Sequence, residues 1–585
     1  MAKLRLTTEQ KAILRCPRHH LQVTACPGSG KTTTLVAVTE RWIADGVDPE
    51  DILALSFSNS TVQELSQKLH PEIAVQTVHA LGLSLLHQDG ATSKLLQPKQ
   101  ALALLLAAAA RVRRKVQKGL LWSTTTDRRR GKRLDQLKSL TKRDAKLVLG
   151  LFDLAAALDV NVSEVVAVRA AQLESHVRVL VQLHRAYRFL KRKRGLIDYG
   201  DMVTLARGAL PDRQWPYTHV VVDELQDCTT AQMHLLTTIV RQHRPVLRAF
   251  GDHHQSIYGF AGAAPFQLGD LITELHTLPL STSQRLTQRV AALASAVAGL
   301  DRDSTIQSEK TGPVPLLLED DDEVGQQDRV VRRLLKHLSG SRKGESIAVL
   351  ARTNAQLRML DQRLRVHGVD ATRLGLVKDR LPLRRVQRLL WAFASTESTD
   401  RRQSVCWELI RAWTADEKRV DSALKELRKL RCGSSIEGQY KALCGVYLRL
   451  IGGARENKDV RNELAAWEPV FRRSQTLDEA MAVGRGPVGG VTLSTIHAAK
   501  GGEWDHVLLM GVTDGRLPIY HAKDEQALLQ ERNLLYVGIT RARRTLRLYH
   551  SPFRHDGCAF SEISPLLRPH GPWLLKTRPL VLEKT

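Results

Sequence analysis

Short apolar runs, each closed by a turn signal, recur along the chain: LQVTACPGSG, DILALSFSN, HVVVDE, PVLRAFGD, ESIAVLART, GVTLSTIH, HVLLMGV and LRLYH. Stretches of helical period separate them. Runs apolar on both faces, alternating with helices, predict parallel strands buried on both sides, hence an α/β class. These runs fall in two groups, 1–87 with 195–278 and 279–365 with 487–585, and each group is split by a segment of another character. Residues 88–194 begin rich in Leu and Ala and turn strongly basic. Residues 366–486 are rich in Arg, Leu and Trp, with helix-like spacing and no strand pattern. The pattern predicts two α/β cores, each interrupted by a mostly helical insertion.

At 585 residues the length allows about three to five domains. Lys plus Arg outnumber Asp plus Glu by 87 to 61, a formal charge of +26, which favours a polyanionic partner. The charge is uneven: residues 111–147 hold 14 Lys/Arg against 3 Asp/Glu. Seven scattered Cys with no CxxC pair argue against a disulfide scaffold, a zinc knuckle or an iron–sulfur cluster. The start of the chain lacks an apolar signal core, and the longest apolar run, Ala101–Ala110, is about half a membrane span. A cytoplasmic location with no membrane partner is the expectation. The acidic run Glu319–Glu323 reads as a solvated loop rather than a metal site, since adjacent carboxylates do not all converge on one ion.

The strongest local signal is Ala25-Cys26-Pro27-Gly28-Ser29-Gly30-Lys31-Thr32-Thr33, set between a strand-like and a helix-like run. That context is the one a phosphate-binding loop requires. Gly28, Ser29 and Gly30 let backbone N–H groups turn toward phosphate oxygens, Lys31 reaches the outer phosphates, and the Thr32 hydroxyl holds Mg²⁺. The second half of such a site is an apolar strand ending in Asp. His219–Asp223 supplies it: Asp223 anchors Mg²⁺, and Glu224 is placed to polarise an attacking water. ATP and Mg²⁺ are the cofactors so implied. Cys26, inside the loop, raises the expectation of a thiol-sensitive ATPase.

The continuation Asp223-Glu224-Leu225-Gln226-Asp227 resembles the DExQD box of superfamily 1 helicases of the UvrD/Rep type. Further boxes follow in that family's order. Leu6–Gln10 looks like the adenine-reading segment, with Gln10 on the base edge. Ser56-Phe57-Ser58-Asn59 matches the FTN box, Thr77-Val78-His79-Ala80 the TxH box, and Ile197–Met202 the DFxDL segment. Gly251–Ala263 matches GDxxQSIYxFRGA, with Gln255 as γ-phosphate sensor and Ala261 where the family has Arg. Ser283-Gln284-Arg285 aligns with the NYR box, making Arg285 a γ-phosphate ligand. Thr495–Trp504 matches THxAKGLE[FW], with Gly502 for Leu and Glu503 on the ribose. Leu534–Arg543 matches LLYVAxTRAR, which makes Arg541 the arginine finger.

The resemblance implies two RecA-like cores with ATP between them, a basic 1B-like insertion at 88–194 and a reduced 2B-like insertion at 366–486. It also implies a DNA-dependent ATPase that moves 3′→5′ on single-stranded DNA and acts at single-strand/duplex junctions. Phe57, Asn59, His79, Tyr258, Phe260 and Trp504 are the expected DNA contacts, with bases stacking on the aromatics. An alternative is a single-strand translocase that strips bound proteins, or serves as motor subunit of a repair, replication or defence complex, and unwinds weakly alone. Residues 111–147 are a candidate duplex-contacting face. No nuclease-like carboxylate constellation follows Tyr549.

Overall fold

The computed structural model describes residues 6–88, 94–117, 142–263, 268–272, 274–340, 344–367, 490–552 and 562–568, with shorter pieces between 369 and 464 and at 575–577. Most of the basic stretch, 118–141, and much of 366–486 lie outside the described residues. The chain divides into two compact units, Met1–Gln284 and Arg285–Thr585.

The first unit is built on a six-stranded sheet of β1 (His20–Ala25), β2 (Ile52–Ser56), β3 (Ala74–Thr77), β6 (His219–Val222), β7 (Val246–Gly251) and β8 (Leu275–Leu280), in the order β3-β2-β6-β7-β1-β8. Every pairing is parallel. β2, ILALS, is buried along its whole length, as its four apolar residues in succession require. Its first strand leads into the phosphate loop, and the centre of the sheet brings β6 and β7 beside β1. A two-stranded ribbon, β4 (Lys94–Leu95) with β5 (Leu196–Ile197), closes the base of the insertion. Helices Pro98–Gln117, Lys142–Leu158, Val162–Arg169 and Val177–Lys193 fill that insertion around their own core, which includes Leu104, Phe152, Val166 and Leu183.

β8 moves the boundary expected at 278. The strand runs to Leu280 on the edge beside β1. Glu9 then accepts from the main-chain N–H of Ser281 at 3.1 Å, and Ser283 Oγ donates to Pro27 O at 2.7 Å. These bonds keep the segment through Gln284 with the first unit. The alternating sequence LHTLPL, with a proline, is edge-strand chemistry and gave no apolar run to read.

The second unit carries a seven-stranded sheet of β9 (Leu316–Glu319), β10 (Ile347–Ala351), β11 (Thr372–Arg373), β12 (Val491–Thr495), β13 (Trp504–Leu509), β14 (Ala542–His550) and β15 (Leu575–Thr577), in the order β11-β12-β10-β13-β14-β9-β15. It too is parallel throughout. Helices Glu417–Leu427 and Ile436–Leu450 form a separate cluster around Tyr440 and Leu443. The acidic run is not the solvated loop expected of it. Glu319 ends β9, Asp320 is buried against Arg329, Asp322 caps helix Glu323–Ser339 by accepting from Gly325 N at 2.7 Å, and Glu323 pairs with Arg516 at 2.6 Å. Capping and ion pairing absorb carboxylates that are only charges in the sequence.

Candidate nucleotide and DNA site

The phosphate loop is shaped by its glycines. Gly28 and Gly30 take φ of +76° and +81°, the left-handed region that favours glycine. A Cβ on Gly30 would also lie 2.9 Å from Gln10 Nε2. Helix Lys31–Ala44 starts directly behind, so its free N–H groups and dipole face the loop. Thr32 is half-buried and Thr33 exposed. Ser29 Oγ is buried in the floor of the cradle, beside the Cys26 thiol.

Gln10 lies above this loop in a capping box: its Oε1 accepts from Thr7 N at 2.9 Å, and its Nε2 donates to Ser29 O at 3.3 Å. The residue given to the adenine edge is thus also a tie between the N-terminal helix and the loop.

β6 delivers Asp223 and Glu224 opposite Lys31. Lys31 Nζ is 2.7 Å from Glu224 Oε1. Burial works against the charge of Lys31, but Glu224 and Asp223 outweigh it and raise its pKa. Asp223 is buried; desolvation, then the charge of Glu224, push its carboxyl up to about 6. Asp223 Oδ1 accepts from Glu224 N at 2.9 Å. Glu224 has φ of +55°, a rare conformation for a residue with a side chain, and such strain collects at working sites. Gln226 Nε2 donates to Glu224 Oε2. Behind β7, Gln255 Nε2 donates to Asp252 Oδ2 at 2.7 Å.

This donor set suits a phosphate-bound Mg²⁺. Among the described residues no group of three or more His, Cys, Asp or Glu could hold a metal by itself. One carboxylate, Asp223, and one hydroxyl, Thr32, leave the remaining positions to phosphate and water, as this hard cation prefers.

The aromatics of the first unit lie together. The rings of Phe57 and Tyr258 stack with centroids 5.8 Å apart at 22°, and Phe260 meets Tyr258 edge-on at 6.1 Å. Phe260 is 65% exposed. Asn59 is exposed at the start of helix Asn59–Lys68, where Ser58 Oγ caps Thr61 N. His79 is held neutral by burial, with Gln232 Nε2 3.4 Å from its Nδ1 and the Tyr199 ring edge-on at 5.3 Å. Tyr199, exposed and unassigned from the sequence, is an aromatic in the DFxDL-like segment.

In the second unit, Arg285 pairs with Glu503, which also pairs with Arg543. Arg541 is buried: its Nε donates to Val537 O at 3.0 Å and its Nη1 to Gly502 O at 3.1 Å. Burial, then Arg352 and Lys500, lower His497 to about 4, so it is neutral near pH 7 and suited to coupling rather than proton transfer.

Two expectations are corrected. Trp504 is no stacking platform. It is buried, its Nε1 donates to Thr492 Oγ1 at 3.2 Å, and its ring lies where a Cβ on Gly502 would be, 2.6 Å away. Gly502 therefore replaces the family's Leu because the indole covers it. Cys26 is no reactive thiol: its Sγ donates to Ser281 O at 3.3 Å, and burial drives its pKa far up, against the thiolate.

A parallel sheet, a glycine loop opening a helix, and an Asp-Glu pair facing its lysine define a P-loop nucleoside triphosphatase. The UvrD/REP helicase N-terminal domain matches residues 6–275 and the UvrD-like helicase C-terminal domain matches 466–551, so the chain belongs to the UvrD/REP helicase family, a family of ATP-dependent DNA helicases. It is 27% identical to "ATP-dependent DNA helicase UvrD2" of Mycobacterium tuberculosis over 94% of this chain and 79% of that protein. Identity to "ATP-dependent DNA helicase PcrA" of Leuconostoc citreum is 24%, covering 98% and 85%. Identity to "ATP-dependent DNA helicase srs2" of Schizosaccharomyces pombe is 23%, covering 95% and 73%. No helix among the described residues is long and apolar enough to cross a membrane.

Proposed function

We propose that the chain hydrolyses ATP to move 3′→5′ along single-stranded DNA and to separate strands at a junction with duplex. The observation that carries the reading is the placement of Lys31, Asp223 and Glu224 at the mouth of the phosphate loop, in the same unit as the Phe57–Tyr258–Phe260 cluster. Lys31 leaves Glu224 for the β- and γ-phosphates. Thr32 and Asp223 would hold Mg²⁺, which would supply neutralisation of the charge on the phosphates. Glu224, freed of Lys31, takes the proton of the attacking water. Gln10 and Glu503 contact base and ribose, and Gln255, Arg285 and Arg541 respond to the γ-phosphate, as the family resemblance implies. Single-strand bases stack on Phe57, Tyr258 and Phe260, beside Asn59 and His79; stacking is worth roughly 1–3 kcal/mol per base and tolerates any sequence.

The test is strand displacement on 3′-tailed, 5′-tailed and blunt DNA with ATP, beside hydrolysis with and without single strands. Displacement of the 3′-tailed substrate alone is expected. Stimulated hydrolysis without displacement selects a translocase that strips proteins or drives a larger complex. Hydrolysis indifferent to DNA would sink the motor reading.

A further inference from the structure

Gln226 has no part in that reading, yet it is 3% exposed and its amide is used at both ends. Its Nε2 donates to Oε2 of Glu224, whose other oxygen, Oε1, pairs with Lys31. Its Oε1 accepts from the main-chain N–H of Asp252 at 2.9 Å. Its main-chain carbonyl accepts from Ser256 Oγ at 3.0 Å. One side chain therefore joins the carboxylate after β6 to the segment after β7 that carries Gln255. The polarity of both contacts is fixed. A carboxylate only accepts and a main-chain N–H only donates, so the amide does not flip without losing both bonds. Glu and Met match the size of Gln but not the pair of roles. The site is also tight: a Cβ on Gly251 would lie 3.0 Å from Gln226 Oε1 and 3.2 Å from Leu225 Cβ.

We infer that Gln226 is the positioning residue of the general base: it fixes Oε2 of Glu224 and ties that carboxylate to the main chain of the nucleotide-sensing segment 251–256. This rests on the reading of Glu224 as base. The departure of Lys31 toward phosphate removes the partner of Oε1 but leaves the bond to Oε2 in place. The base then keeps its aim on the strained left-handed backbone of Glu224 while the cation is elsewhere. A polar filler of the same pocket would stabilise the fold without touching turnover.

A double-mutant cycle on full-length protein separates these roles: Gln226→Met, Glu224→Gln and the double variant, assayed for single-strand-stimulated ATP hydrolysis, nucleotide affinity and thermal unfolding. Gln226→Met is expected to lower kcat about 10- to 100-fold, the usual cost of a misplaced catalytic group, with KM for ATP little changed. In the Glu224→Gln background the same change is expected to cost nothing further. Wild-type kcat in Gln226→Met, or an undiminished loss added to that of Glu224→Gln, overturns the inference. Wild-type kcat in Glu224→Gln overturns the underlying reading instead. Should Gln226→Met fail to fold, Gly251→Ala presses on Gln226 Oε1 while keeping the amide. It is expected to lower kcat in the wild-type background only, and an unchanged kcat counts against the inference.

Discussion

Lys31 Nζ lies 2.7 Å from Glu224 Oε1, so the ammonium and the carboxylate neutralise one another beside the buried Asp223. Lys31→Met leaves the two adjacent carboxylates without their cation, and an uncompensated buried charge costs about 1–3 kcal/mol or more. A lower thermal midpoint in addition to lost hydrolysis is expected; unchanged stability would deny the pairing a structural role. Glu224→Gln keeps a group of the same shape and leaves Asp223 near Lys31. ATP binding is expected to persist while kcat falls about 10²- to 10⁴-fold, the usual worth of a general base.

Asp223 makes the first unit sensitive to pH in a defined sense. Its carboxyl rises from 3.8 to about 6 in the folded chain through burial first and Glu224 second. Folded protein then binds this proton more tightly than unfolded protein. The favourable contribution is complete below the unfolded pKa and is lost as pH rises through the folded one, about 2–3 kcal/mol in all. On the proposed role of Asp223 in holding Mg²⁺, which needs the ionised carboxylate, Mg²⁺-dependent nucleotide binding is expected to strengthen over the same range. Asp223→Asn is expected to flatten both profiles. A stability difference from wild type that stays constant from pH 4 to 7 would refute this.

The eight apolar runs all became strands because a parallel strand buried on both faces has no polar position to hide it. AVQT of β3, LHTLPL of β8 and LLLE of β9 carry no such run, since polar residues, a proline and an acidic end break the signal in strands that are half-exposed or at an edge. The phosphate loop and the Asp-Glu pair were legible because backbone conformation and phosphate chemistry restrict which residues serve. Trp504 was not: its motif position says nothing about burial, and only the indole seated over Gly502 reveals it as core. Gln226 stands inside a sequence motif, but its bond to Asp252 N is visible only once another strand, β7, brings that residue beside it.

The aromatic cluster and Trp504 make opposite predictions. Phe260 is exposed, and Phe260→Ala is expected to weaken single-strand binding about 5- to 100-fold, in line with one lost stacked base. The slope of affinity against salt is expected to stay the same, because stacking releases no counterions. A shallower slope would mean a phosphate contact instead. Trp504→Ala is expected to cost about 3–5 kcal/mol of stability as a buried aromatic truncated to Ala, with Trp504→Phe recovering much of it. A DNA-binding defect in a Trp504→Ala protein of native stability would reinstate it as a platform.

Cys26 occupies the phosphate loop but bonds Ser281 O, and burial holds it as the thiol. Alkylation at pH 7.5 is expected to modify it far more slowly in the folded chain than in urea. Cys26→Ala is expected to hydrolyse ATP normally. Mass spectrometry after timed iodoacetamide treatment reads the rate, and rapid loss of activity that tracks modification of Cys26 would restore the thiol-sensitive reading.

Asp159 is the pin between the first insertion and its core. It follows helix Lys142–Leu158 in the left-handed region, φ +57°, and its carboxylate is shared by Arg207 and by His234 Nδ1 at 2.8 Å. Burial opposes its charge, but those two bonds prevail and lower its pKa. The contribution is therefore present above the unfolded pKa and lost as pH falls through the lower, folded one, so it stands intact at neutral pH. Half-exposed partners screen it to about 1 kcal/mol. The same helix end touches Gly262, where φ is +88° and a Cβ would lie 2.6 Å from Ala157 Cβ. Gly262→Ala thus combines a backbone penalty with a clash and is expected to release the insertion more than Asp159→Ala does. Limited proteolysis should cut between the helices of the insertion fastest in Gly262→Ala, next in Asp159→Ala, and slowest in wild type. Equal rates in all three would mean that neither contact holds the insertion in place.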